Sequence, residues 1–274
     1  MGAGIAEICA KAGAQVVVVE ADPRSLADGR SRIESSLERS VKSNKLTAKQ
    51  RSEVMSRLCF TVNFNDLHDR TFVVEAIAEN EVAKADVFRR LDAVITDPQA
   101  VLATNTSSIP IIKLAIATRR PDKVIGIHFF NPVPVLKLVE LIPSLLTSEE
   151  TIGRARTFVV DDLEKVAIHA PDRAGFIVNA LLIPYLLSAI RMLESGVASA
   201  TDIDAGMVLG CAHPIGPLAL VDLIGLDTTR AVAEMLYEEF KEPHMAPPPL
   251  LLRMTQAGLN GRKSGRGFFD YPSQ

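Results

Sequence analysis

The chain alternates short, wholly apolar runs with longer stretches in which apolar residues recur every three or four positions. Residues 2–13 read as a helix with small residues on one side and a glycine stop. Residues 15–20 contain four consecutive valines, which suits a parallel strand covered on both faces. Asp22-Pro23 opens a long amphipathic helix over 24–46, rich in Arg and Lys. Thr47 with Gln50 resembles a capping box for a second helix ending near residue 58. Short apolar strands are predicted at 59–62, 72–76 and 100–103, with a helix over 82–94. Two further strands flank Asn131-Pro132-Val133-Pro134, a helix follows over 148–163, and a last strand covers 165–170.

Beyond the charged, Gly-ended linker Asp172-Arg173-Ala174-Gly175 the pattern is helical, with no alternation of period two. The elements predict an α/β fold: a Rossmann-like doubly wound sheet over residues 1–172, then an all-helical domain over 173–274. A doubly wound sheet carries its first strand at the centre, and the helix at 2–13 has no strand before it. The expectation is therefore a sheet with its first strand missing and a natural start upstream of Met1. The chain as written is then expected to bind its nucleotide poorly.

Candidate chemistry concentrates between residues 126 and 142. If the turn centres near Pro134, positions 128 and 140 lie opposite each other, each six residues from that centre. Opposed side chains in an antiparallel pair are close enough to hydrogen-bond. The pair is His128 and Glu140, an imidazole and a carboxylate on otherwise apolar strands. A carboxylate beside an imidazole fixes its tautomer and favours its protonated form, the make-up of a proton acceptor working near neutral pH. A second polar cluster, Thr104 to Pro110, ends a strand at the edge where open α/β sheets bind ligands, although such residues also serve plain turns and caps.

Composition narrows the classes. At 274 residues the chain can bury a sizeable core, and a net charge of -3 with a pI near 6.0 gives nucleic acid no support as a partner. Cys9, Cys59 and Cys211 are odd in number and widely spaced, as in reduced cytosolic thiols. No cysteine pair or histidine cluster has metal-ligand spacing, so no metal is expected. No signal peptide is visible. The most membrane-like run, 176–193, is interrupted by Asn179, Pro184, Ser188 and Arg191 and reads as a buried or dimer-facing helix. A cytoplasmic protein without membrane partners is expected.

The runs HFFNPVPVLKLVE, NTSSIP and GRKSGRGF resemble the L-3-hydroxyacyl-CoA dehydrogenase family, especially its monofunctional 3-hydroxybutyryl-CoA type, and the resemblance extends over residues 1 to 271. It implies reversible oxidation of a short-chain L-3-hydroxyacyl-CoA to the 3-ketoacyl-CoA with NAD, by a homodimer, in fatty-acid or butanoate metabolism. It makes His128 the catalytic base and Glu140 its partner. Ser107 then reaches the substrate oxygen, and Asn179, in a run matching R-x-G-F-x-x-N, contacts substrate. Cofactor contacts carried over are Gly2, Glu20, Glu79, Lys84, Asn105, Ser107, Asn131 and Lys263, with Glu20 accepting the adenosine ribose and disfavouring a 2'-phosphate. Ser36 and Lys42 are assigned to coenzyme A. Read without the resemblance, Glu20, Glu79, Lys84 and the basic helix residues are solvated charges, and Asn179 could pair with another helix. A sugar-acid dehydrogenase of the same architecture, which needs no coenzyme A contact, and a non-enzymatic crystallin-like protein are the alternatives.

Overall fold

The structure is a computed structural model and describes residues 1–271. The chain divides into two compact units, Met1–Asp172 and a second beginning at Arg173. The first unit opens with α1 (Gly2–Lys11), β1 (Val16–Val19), α2 (Pro23–Lys42), α3 (Ala48–Ser56) and β2 (Leu58–Thr61). It continues with β3 (Phe72–Glu75), α4 (Glu81–Val94), β4 (Val101–Thr104), α5 (Ile111–Ala115) and β5 (Val124–Phe129). β6 (Leu138–Pro143), α6 (Glu149–Thr157) and β7 (Val166–His169) close it.

The helix starts follow local chemistry. Asp22 accepts the Arg24 and Ser25 amides, each at 2.9 Å, with Pro23 at the first helical position of α2. Thr47 and Gln50 close the reciprocal capping box of α3. The helix predicted over 148–163 is shorter than its pattern. α6 ends at Thr157 and gives way to a π-helical turn over Phe158–Asp162.

The strands form two sheets. β1 and β2 pair in parallel, and β3-β4-β5-β6-β7 form a five-stranded sheet in sequence order. Within it only β5–β6 is antiparallel. The Rossmann-like α/β character is thus present, and β1 and β3 are not hydrogen-bonded to each other.

Alternation across β4, β5 and β6 sorts side chains between two covered faces. Val101, Ala103, Ile125, Ile127, Phe129, Val139 and Leu141 join Ile5, Ile8 and Cys9 of α1 and Ala155 of α6 in one core cluster. Leu102, Thr104, Gly126, His128, Glu140 and Ile142 occupy the opposite face by the same period. Burial on both faces explains why β4 and β5 are buried at every position. At Gly126 a Cβ would stand 2.8 Å from Ile111 and 2.9 Å from Ile142, so the absence of a side chain lets α5 lie directly on the strand.

The second unit is helical among its described residues: α7 (Val178–Glu194), α8 (Ala200–Cys211), α9 (Pro217–Ile224), α10 (Leu226–Phe240) and α11 (Pro249–Gln256). Its core is built from Ile183, Leu186, Leu187, Ile190, Leu218, Val221, Leu226 and Leu236. Asp222 of α9 accepts the Phe268 and Phe269 amides at 2.9 Å and the Tyr271 hydroxyl at 3.0 Å, which pins the C-terminal segment. Among the described residues no helix is long and apolar enough to cross a membrane.

Candidate active site

Antiparallel register places His128 opposite Glu140, with Ile127 opposite Leu141 and Phe129 opposite Val139. His128 Nδ1 and Glu140 Oε2 are 2.7 Å apart. An ionised carboxylate only accepts, so Nδ1 carries the hydrogen and donates it. Glu140 has no exposed surface and His128 is buried, with the Phe130 ring 4.6 Å from the imidazole.

The connection between these strands is held from β7. Lys165, immediately before that strand, donates through Nζ to Val133 O at 2.8 Å and Leu136 O at 2.7 Å. Burial pushes the Lys165 ammonium below its usual pKa. Pro132 O accepts from the Val135 and Leu136 amides at 3.0 Å, closing the turn that begins at exposed Asn131. Val133 is buried against α1, where a Cβ on Gly4 would approach its Cβ to 3.0 Å. Glycine at that position allows the helix and the turn to touch.

A second polar group forms at the carboxyl ends of β3 and β4. Glu75 accepts from Lys84 Nζ at 2.8 Å, from the Ile77 amide at 2.6 Å and from Thr104 Oγ1 at 2.8 Å. Glu79 accepts the Ser107 and Ser108 amides at 3.0 and 3.1 Å, the Ser108 hydroxyl at 2.6 Å, and the Thr106 hydroxyl. Lys84 Nζ stands 3.4 Å from Glu79 Oε2. Burial alone would raise the Glu79 pKa, but the Ser108 and Thr106 hydroxyls and the Lys84 charge hold it below the usual carboxylate range. Asn105 connects the two groups, because its Oδ1 accepts the Phe129 amide at 2.8 Å, one residue beyond His128.

The structure therefore brings His128, Glu140, Asn105, Ser107, Glu79 and Lys84 to one edge of one sheet. Lys84 is 1% exposed, so it acts through its two carboxylates and not as a solvated charge at a helix start. Gly2 opens α1, and half-buried Glu20 follows β1. A Cβ on Gly29 of α2 would stand 3.5 Å from Glu20 Oε1. That placement fits a dinucleotide: a helix N-terminus for the phosphates and a carboxylate at the strand's end for ribose hydroxyls.

Ser36 and exposed Lys42 both lie on α2. Six residues apart, they are roughly 120° apart around the helix and do not share a face. Asn179 stands in the first turn of α7. Exposed Lys263 donates to Asp227 at 2.6 Å. Among the described residues no cluster of His, Cys, Asp and Glu could hold a metal ion.

Sequence reasoning passed over Glu75, Thr106 and Lys165. Glu75 had a signal, since it ends an apolar strand and pairs in register with Thr104, the last residue of its neighbour. Nothing in the chain pattern marks Lys165 as a partner for carbonyls about thirty residues earlier.

A sheet edge carrying ligand-type turns beside a buried imidazole–carboxylate pair is the construction of a dinucleotide-dependent oxidoreductase. The family profile described as "3-hydroxyacyl-CoA dehydrogenase, NAD binding domain" matches residues 1–173, and that described as "3-hydroxyacyl-CoA dehydrogenase, C-terminal domain" matches 175–271. The chain belongs to the 3-hydroxyacyl-CoA dehydrogenase family, and its first unit is that family's NAD-binding domain. It is 54% identical over 271 residues to the 3-hydroxybutyryl-CoA dehydrogenase of Mycobacterium tuberculosis strain H37Rv, covering 99% of this chain and 95% of that one. The human mitochondrial hydroxyacyl-coenzyme A dehydrogenase is 40% identical over 279 aligned positions, covering 99% and 88%. The crystal structure of M. tuberculosis FadB2 superposes with a TM-score of 0.98 at 54% identity, covering 99% and 95%. That of the (S)-3-hydroxybutyryl-CoA dehydrogenase PaaH1 from Ralstonia eutropha gives 0.94 at 43% identity, covering 100% and 96%. The expectation of an impaired enzyme is not borne out, because relatives bearing dehydrogenase names align with 99% of this chain.

The Glu79 cluster generates a pH prediction. A carboxylate whose folded pKa lies below its unfolded value of about 4.3 adds stability that is complete above that value. The contribution is lost as pH falls through the folded pKa. Urea unfolding of the unmodified protein and Glu79→Gln, stepped from pH 6 downward, should show the unmodified protein losing stability more steeply below about pH 4.3. Parallel pH dependences would contradict the assignment.

Proposed function

We propose that this chain reversibly oxidises a short L-3-hydroxyacyl-CoA of the 3-hydroxybutyryl-CoA type to the 3-ketoacyl-CoA with NAD. The observation that carries the reading is the buried His128–Glu140 pair at 2.7 Å, beside the polar edge formed by Asn105 and Ser107. With Nδ1–H committed to Glu140, the imidazole lone pair resides on Nε2, which takes the proton of the 3-hydroxyl. In the reverse direction the imidazolium returns that proton. Glu140 keeps the ring oriented and stabilises its positive charge. Bound NAD would supply the acceptor for the hydride on the same carbon.

The same reading assigns Ser107 and Asn179 to the reacting oxygen and the thioester end, which fixes the substrate for transfer. Gly2, Glu20, Asn105, Asn131 and Lys263 are assigned to the cofactor. Glu79, held by Lys84, shapes the turn that borders it. Ser36 and Lys42 are assigned to coenzyme A. A short acyl chain is supported by the names of the M. tuberculosis and R. eutropha relatives. A homodimer is supported by the exposed apolar side chains Leu181, Met192, Val197 and Leu209 of the second unit. Free Cys9, Cys59 and Cys211 support a cytoplasmic location.

The deciding experiment is NADH oxidation with acetoacetyl-CoA. His128→Gln should lower turnover by roughly two to four orders of magnitude while circular dichroism stays unchanged. Free coenzyme A in excess should compete with substrate. Near-normal turnover in folded His128→Gln would remove the mechanism, and indifference to coenzyme A would remove the substrate class.

Glu20 generates a separate expectation. A carboxylate beside the ribose repels a 2'-phosphate, so NAD should be strongly preferred and Glu20→Ala should narrow the gap to NADP. Equal use of both cofactors by the unmodified enzyme would contradict the role.

A further inference from the structure

Lys165 differs from the other buried lysine of the site. Lys84 lies between two carboxylates, Glu75 and Glu79. Lys165 is 9% exposed, and its ammonium bonds instead to two main-chain carbonyls, Val133 O at 2.8 Å and Leu136 O at 2.7 Å. No carboxylate offsets the burial that lowers its pKa. Taking an ammonium out of water is costly unless its charge is compensated. Here the compensation is two carbonyl dipoles aimed at one nitrogen, so the ammonium and the turn that presents those carbonyls depend on each other.

Irregular backbone delivers Lys165 to this place. The Leu163 amide donates to Phe158 O at 3.1 Å and the Lys165 amide to Val159 O at 3.0 Å, which closes the π-helical turn. Glu164 between them takes a φ of 52°, uncommon outside glycine, and Lys165 then stands immediately before β7. The next amide, of Val166, donates to Lys137 O at 2.9 Å. The carbonyls of residues 133, 136 and 137 are thus all held from residues 165 and 166.

The connection they hold lies outside the β5–β6 ladder, which pairs residues 125–129 with 139–143 and by itself sets His128 against Glu140. It begins near exposed Asn131, and its buried Val133 packs on Gly4 in the first turn of α1. We propose that Lys165 is a positioning residue for the dinucleotide: by gathering the Val133 and Leu136 carbonyls it holds Asn131 and the Val133–Gly4 contact in the arrangement that receives the cofactor. This rests on the assignment of Asn131 to the cofactor. Lys165 thereby governs cofactor affinity, while proton transfer stays with the strand ladder.

The test uses the full chain with Lys165→Met, which keeps the length of the side chain and removes its charge and its donors. Fluorescence titration without substrate should show NADH binding weakened by roughly tenfold. The KM for NADH should rise by a similar factor, with turnover at saturating NADH within about twofold of the unmodified enzyme and its pH profile unmoved. Hydrogen exchange should quicken at the Val135 and Leu136 amides, which bond to Pro132 O, and stay unchanged at the Phe129 amide, which bonds to Asn105. Lys165→Arg, which keeps a charge and donors, should restore part of the lost NADH affinity. Gly4→Ala, pressing on Val133 from α1, should weaken NADH binding in the same way. Unchanged NADH binding in Lys165→Met, a shifted pH profile, or no recovery in Lys165→Arg would overturn the proposal. Failure of Lys165→Met to fold would overturn it too, because the residue would then serve the whole unit and not the turn. Tight NADH binding by an unmodified protein that leaves acetoacetyl-CoA unreduced would count against the substrate assignment alone, since the titration is read without substrate.

Discussion

The candidate site depends on one register. β5 and β6 pair so that residue numbers on opposed positions share Pro134 as their midpoint, and this alone sets His128 across from Glu140. A slip of one residue would turn the imidazole toward the face packed on α1 and α6 and would leave Glu140 without its partner. A carboxylate with no exposed surface is tolerated only when its charge is compensated, so the pair and the register stabilise each other. Ile111 lying on Gly126, Lys165 holding the turn and Asn105 holding the Phe129 amide all restrain the same two strands. Each of these contacts comes from a different part of the chain.

The second polar group works by a related principle. Glu75, Lys84 and Glu79 place two carboxylates around one buried ammonium, and the hydroxyls of Thr104, Thr106 and Ser108 satisfy oxygens that the ammonium does not reach. Such a network fixes the turn at 104–108 by mutual satisfaction, since any member left unpaired would carry a large desolvation penalty. The turn is thereby held by contacts made within the first unit itself.

Much of this was legible in the chain, for local reasons. The Asp22-Pro23 and Thr47–Gln50 starts were readable because capping involves residues two or three apart. The His128–Glu140 pairing was readable because a proline-marked centre and a period of two leave few registers. The Lys165 contacts were not, because a lysine reaching carbonyls looks the same in sequence as a lysine in water. Lys84 was assigned to the cofactor by the resemblance and, without it, to an ordinary helix-start charge; its burial between Glu75 and Glu79 was hidden for the same reason. The end of α6 at Thr157 was also hidden, since Phe158 and Val159 continue the apolar pattern while the backbone widens to a π turn. The half-buried state of Val16–Val19 became visible only in three dimensions.

The central claim is that strand register commits His128 Nδ1–H to Glu140 and so places the reacting lone pair on Nε2. The most direct measurement is nitrogen-15 NMR of the imidazole ring at neutral pH, with His128 assigned by its loss in His128→Gln. The account predicts a hydrogen on Nδ1, coupled to that nitrogen and lost from this position as the dominant tautomer in Glu140→Ala. A spectrum in which the neutral ring carries its hydrogen on Nε2, or in which Glu140→Ala leaves the Nδ1 signal unchanged, would contradict it.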